Sequence, residues 1–80
     1  MFVVDVETTG IYPERNSIVS IGAVEFSNPQ NQFYQECRIF PEAEIMPKAL
    51  EINGFTYEQI TDPSKPTLEE AIREFIAWLD

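Results

Sequence analysis

Apolar and polar positions divide the chain into a strand-rich first half and a helix-rich second half. The run Phe2-Val3-Val4-Asp5-Val6-Glu7-Thr8-Thr9-Gly10 is dense in strand-favouring residues and ends at a glycine, so it predicts a buried strand. A second strand is expected over Ser17 to Phe26, where Ile18, Val19, Ile21, Ala23, Val24 and Phe26 supply the apolar positions. Pro13 lies in the short link between the two. Asn28-Pro29-Gln30-Asn31 reads as a turn, and a third strand follows from Gln32 to Phe40 with Phe33, Cys37 and Ile39 alternating against polar neighbours. Three strands with short links imply an antiparallel meander.

The period then changes. Pro47 suits the first position of a short helix over Lys48 to Ile52, stopped near Asn53-Gly54. Thr56 caps a further short turn from Tyr57 to Ile60, and Pro63 and Pro66 stiffen the link after it. Thr67-Leu68-Glu69-Glu70 has the hydroxyl and carboxylate spacing of a capping box and opens a helix running to Leu79. Leu68, Ala71, Ile72, Phe75, Ile76 and Leu79 form one apolar face, expected to pack on the sheet, with Trp78 beside it as core or rim. No Gly, Asn or Pro follows to stop this helix, so the chain is expected to be the N-terminal portion, residues 1–80, of a single larger domain.

Composition narrows the class. At 44% hydrophobic residues the chain is globular, not disordered. A formal charge of −9 lacks the basic footprint usual for nucleic-acid binders, although bound metal ions can supply the cations that face phosphate. The lone Cys37 forms no internal disulfide and fits a reducing, cytoplasmic setting; with no histidine in the chain nothing is present to activate it. No apolar run is long enough to span a membrane, and a strand beginning almost at Met1 leaves no room for a signal peptide.

Chemistry concentrates in the first run. Strand side chains alternate faces, so Asp5 and Glu7 point the same way with Cα atoms about 6.5–7 Å apart. Such a pair on a mainly apolar strand repels and loses solvation unless a cation joins it. Mg²⁺ and Mn²⁺ favour carboxylate oxygens, and two such ions about 3.5–4 Å apart form the clamp used for phosphodiester hydrolysis. Against this stands a plain solvated strand face, the commoner fate of an Asp-x-Glu tripeptide in a chain with 14 acidic residues. Thr8-Thr9-Gly10 makes a tight exit from the strand, either as ordinary turn chemistry or as backbone N–H groups close to a ligand, with Gly10 free to adopt positive φ.

Three segments in order resemble the start of a DEDD-type 3′–5′ exonuclease, the family that includes the proofreading, or epsilon, subunit of bacterial DNA polymerase III. They are Val4-Asp5-Val6-Glu7-Thr8-Thr9-Gly10, Ile18-Val19-Ser20-Ile21-Gly22-Ala23-Val24-Glu25 and Pro47-Lys48-Ala49-Leu50-Glu51-Ile52-Asn53-Gly54-Phe55-Thr56. The resemblance implies an α/β, ribonuclease H-like fold, represented by its three-stranded antiparallel sheet and following helices without the later parallel strands. It implies metal-dependent hydrolysis of nucleotides from the 3′ end of single-stranded DNA or RNA with two Mg²⁺ or Mn²⁺ ions. By match to the family motif, Asp5 and Glu7 are the metal-holding and catalytic carboxylates. Thr8 contacts the terminal nucleotide through its backbone, and Ile52 and Asn53 line its pocket, with core packing as the competing role for Ile52.

The family also needs a third carboxylate in a segment like His-Asn-x-x-Phe-Asp and a fourth preceded by a His or Tyr base. This chain contains neither; Tyr57 with Asp62 has tempting spacing but falls in the wrong part of the fold. The chain alone is therefore expected to be inactive. Expected partners are nucleic-acid 3′ ends, a DNA polymerase, and a second copy paired along the open edge of the first strand. The alternative is a non-catalytic, exonuclease-like remnant serving as an interaction module.

Overall fold

The computed structural model describes all of residues 1–80. Its elements are β1 (Phe2–Thr8), β2 (Ile18–Glu25), β3 (Asn28–Glu36), α1 (Pro47–Asn53), α2 (Tyr57–Ile60) and α3 (Leu68–Leu79). The strands form one antiparallel sheet in the order β1-β2-β3, as the meander pattern predicts.

Residues directly opposite each other across a ladder share a face. Val4 pairs with Ala23 and Val6 with Ile21, while Ala23 also pairs with Phe33. These residues share the face on which α3 lies over β2 and β3; there Ile21, Cys37 and Ala71 form the buried centre and Ile18, Phe33, Leu68 and Phe75 pack around it. Trp78 completes this layer. Its ring lies 5.3 Å from Phe2, 5.9 Å from Phe33 and 6.1 Å from Phe75, and its indole N–H donates to Asn31 Oδ1 at 3.0 Å.

The helices begin where their local signals place them. Pro47 occupies the first turn of α1, and Gly54 ends it in the left-handed region at φ 80°, its N–H donating to the Leu50 carbonyl. Thr56 with Gln59 and Thr67 with Glu70 form reciprocal capping boxes on α2 and α3.

Three expectations need correction. The turn between β2 and β3 is Phe26-Ser27, and Asn28 already pairs with Glu25. The next pair is Val24 with Gln32, so Pro29, Gln30 and Asn31 bulge from the ladder instead of forming the turn. A bulge tolerates Pro29, which has no N–H to donate, and it turns Asn31 toward Trp78. At its far end β3 stops at Glu36, because the Arg38 and Ile39 N–H groups donate to Pro66 and Ile60 carbonyls and not to β2.

The third correction concerns β1, which is not buried. It has a neighbour on one side only, and Phe2, Val3, Val4 and Val6 are 40–50% exposed. Ile72, Ile76 and Leu79 of α3 are exposed as well, so the helix buries only part of its apolar face.

Candidate active site

The register that turns Val4 and Val6 toward α3 turns Asp5 and Glu7 to the opposite face. Asp5 stands across from Gly22, which pairs onward with Tyr34; Glu7 stands across from Ser20, which pairs onward with Glu36. Gly22 leaves the space beside Asp5 free of a side chain. Glu36 carries its own cation: Lys65 Nζ lies 2.8 Å from it and the Tyr34 hydroxyl donates to it at 2.8 Å. Those two contacts, Lys65 first, hold the Glu36 carboxyl below its ordinary range. Burial, then the Glu36 carboxylate, pushes the Tyr34 phenol upward, and the charge of Glu7 adds to the effect.

Past Glu7 the β1–β2 register slips, and the exit from the strand is fixed by side chains. The Thr8 hydroxyl donates to the Gly10 carbonyl at 2.6 Å. Thr9 is fully buried. Its N–H donates to Ser17 O at 2.9 Å, its hydroxyl donates to Glu44 O at 2.7 Å and accepts from Ser17 N at 2.9 Å, and its carbonyl accepts from Met46 N at 2.8 Å. Asn16, also buried, accepts from Tyr12 N and donates to Glu44 O, both at 2.9 Å. Gly10 is required here for a reason other than the expected one. Its φ is not positive. A Cβ at Gly10 would meet Met46 Sδ at 2.5 Å and Asn16 Cγ and Oδ1 at 2.6 Å, so the glycine serves close approach.

These bonds deliver α1 to the end of β1. Met46, tied to Thr9, precedes Pro47, and at the other end of α1 Asn53 Nδ2 donates to Thr8 O at 3.0 Å while its Oδ1 accepts from Phe55 N at 3.1 Å. The result is an open cleft of roughly 240 Å³ whose walls include Glu7, Thr8, Ile52 and Asn53 together with Val6, Ile11, Met46 and Lys48. Four of the five residues singled out from the sequence thus share one cleft. Asp5 lies outside its lining, two residues back on the same strand face as Glu7. Ile52 is 75% exposed, which excludes core packing. Tyr57 and Asp62 form no site: the Asp62 carboxylate is occupied by Ser64 N at 2.9 Å and Ser64 Oγ at 2.7 Å. A larger hollow of about 500 Å³ between Arg38–Glu42 and Thr67–Glu69 contains none of the candidate residues.

As metal ligands, Asp5 and Glu7 have suitable chemistry and incomplete number. Neither carboxylate has an ion-pair partner within 4 Å, whereas Glu36 does. No group of three His, Cys, Asp or Glu side chains gathers to hold an ion. Two carboxylates fit a hard divalent cation but fill only part of a shell of about six oxygens.

The framework residues Thr9, Asn16 and Met46, and the cleft residues Ile11 and Lys48, were not visible as such in the sequence. Their only signal is that Thr9 and Gly10 belong to an exit too tight for larger side chains.

Residues 2–80 match the family model RNase_T, described as an exonuclease. The chain belongs to this exonuclease family. The chain is 37% identical over 78 residues to a PolC-type DNA polymerase III of Thermotoga maritima, covering 98% of the chain and 6% of that protein. It is 35% identical over 79 residues to the 3′-5′ DNA exonuclease Cap18 of Escherichia coli, covering 96% of the chain and 40% of that protein. The chain therefore spans a minor part of the relatives it matches. In three dimensions it resembles the crystal structure of cell-death related nuclease 4 (CRN-4), with a TM-score of 0.70 at 17% identity over 98% of this chain and 29% of the other. That likeness establishes the fold as the ribonuclease H-like exonuclease fold, here as three antiparallel strands followed by helices.

Proposed function

We propose that residues 1–80 form the N-terminal portion of a single 3′–5′ exonuclease domain that removes nucleotides from single-stranded 3′ ends, with DNA as the first substrate to assay because Cap18 is named for it. What carries this is the cleft that joins Glu7, Thr8, Ile52 and Asn53 at the end of the strand bearing Asp5. Asp5 and Glu7 hold the metal, two Mg²⁺ or Mn²⁺ ions in the complete domain. Bound there, such ions lower the pKa of water and stabilise charge on the departing 3′ oxygen. Ile52, exposed beside Glu7, offers an apolar wall to the terminal base. Asn53 spends one donor on Thr8 O and one acceptor on Phe55 N, so it positions that wall while keeping a free N–H for the sugar.

Two carboxylates without a third ligand, and no histidine base, make the isolated chain a weak metal binder and not an active enzyme. Titration with Mn²⁺ should broaden the backbone NMR signals of Asp5 and Glu7 at millimolar concentrations, and Asp5→Ala should remove the effect; broadening centred elsewhere refutes the site. In the same buffer no 5′-mononucleotides should leave a 3′-labelled single strand, and turnover abolished by Glu7→Ala would show that fewer ligands suffice. We place the active whole in a reducing cytoplasm, as a free nuclease or alongside or within a DNA polymerase.

The exposed edge of β1 favours a second role, as an interaction surface. A two-fold axis that pairs β1 with its own copy antiparallel stands perpendicular to the sheet, so residues of like parity face each other. Phe2, Val4 and Val6 of one copy then meet the same residues of the other.

A further inference from the structure

We infer that Lys48 recognises a phosphate of the nucleotide in the cleft, an inference resting on the exonuclease reading of that cleft. The chain carries five Lys and Arg against 14 Asp and Glu, so an anionic ligand meets few cations. Four of the five are engaged elsewhere. Arg38 donates to the carbonyls of Pro63 and Lys65. Lys65 pairs with Glu36 at 2.8 Å, and Arg73 pairs with Glu69. Arg15 lies 4.6 Å over the Tyr12 ring, with Glu14 and Glu44 within 4 Å.

Lys48 alone among the cations lines the cleft that holds Glu7. Its one partner is Glu51 at 3.6 Å, with both side chains 73% exposed. Such a pair is loose and worth little, and a phosphate competes for the ammonium readily. The opposing charges are also separated by role. Glu7 repels a phosphate unless a cation is bound, and the remaining cleft wall (Val6, Ile11, Met46, Ile52) is apolar and suits a base. Lys48 is thus the one side chain of the cleft whose own positive charge distinguishes a nucleotide from a nucleoside.

The test is binding of thymidine 5′-monophosphate and of thymidine, each with Mg²⁺ at low salt, to the 80-residue chain and to Lys48→Ala and Glu51→Gln, followed by NMR shifts. Lys48→Ala should weaken the monophosphate about three- to tenfold and leave thymidine unchanged. Glu51→Gln should tighten the monophosphate by releasing Lys48, and added salt should erase the difference between the two ligands. Equal loss for both ligands, or no loss for either, overturns the role of Lys48 while sparing the cleft. If the wild-type chain binds neither ligand, or shifts map away from Val6, Glu7 and Ile52, the cleft reading falls and the role of Lys48 with it.

Discussion

Gly10→Ala should be the most damaging conservative change in the chain. The added methyl would sit 2.5 Å from Met46 Sδ and 2.6 Å from the Asn16 side chain. Met46 is flexible and partly exposed, and it can swing aside. Asn16 cannot: it is 6% exposed and holds Tyr12 N and Glu44 O at 2.9 Å each. Displacing it forfeits two hydrogen bonds, at about 1 kcal/mol each. The entropy lost by the unfolded chain on gaining a Cβ returns roughly 0.4–1 kcal/mol, while residual crowding adds about 1 kcal/mol or more. The net is a destabilisation of about 2 kcal/mol, a large share of the roughly 4–12 kcal/mol available to a domain of this size. Urea unfolding reports it through the single Trp78, which is packed among Phe2, Phe33 and Phe75. Gly22→Ala is the control, because its Cβ would meet nothing nearer than 3.8 Å, and it should be neutral or slightly stabilising. In an Asn16→Ala background Gly10→Ala should cost clearly less than in the wild type. A Gly10→Ala midpoint equal to that of the wild type, or a full cost retained in the Asn16→Ala background, would refute the steric account.

Two further outcomes are expected. Burial pushes the Cys37 thiol up to about 11 from an ordinary 9.0, so between those values the folded chain binds more protons than the unfolded one and stability must fall as pH rises. The loss is on the order of 3 kcal/mol across the window, and Cys37→Ala should flatten the alkaline limb of a stability-versus-pH curve; an unchanged limb would remove Cys37 as the cause. Val4→Lys places a charge in the exposed edge of β1 and should convert a concentration-dependent dimer to monomer by sedimentation, whereas a wild-type chain that is monomeric throughout would show that the edge does not self-pair.

What was legible in the sequence is what is encoded locally. Pro47 and Gly54 bound α1, Thr56 caps α2, and the pair Thr67–Glu70 marks α3, because each signal acts within one turn. The shared face of Asp5 and Glu7 follows from strand period alone. Nonlocal bonds decided the rest. Asn28-Pro29-Gln30-Asn31 has turn composition, yet Asn31 is held in a bulge by Glu25 and Trp78. The early stop of β3 depends on carbonyls of Ile60 and Pro66 that arrive from the second half of the chain. Strand period singles out Asp5 and Glu7, and the family motif adds Thr8, Ile52 and Asn53, but the bond from Asn53 to Thr8 that brings α1 onto β1 has no sequence signature. The same holds for the buried Thr9 and Asn16, whose polar side chains read as loop residues.

The meander and its aromatic cover become available at different times. Pairing β1 with β2 and β2 with β3 needs nothing beyond Glu36, and hairpins of this kind close in about 1–10 μs. Synthesis of the roughly forty residues from there to Trp78 takes about 2–8 s at a rate of ~5–20 residues per second. A sheet formed in that interval would leave Phe2 and Phe33 uncovered until Phe75 and Trp78 arrive to pack on them. Slowing translation after Glu36 has left the ribosome, and not while the strands are being made, would lengthen the exposed interval, so the yield of soluble chain should fall with slow codons placed beyond that point.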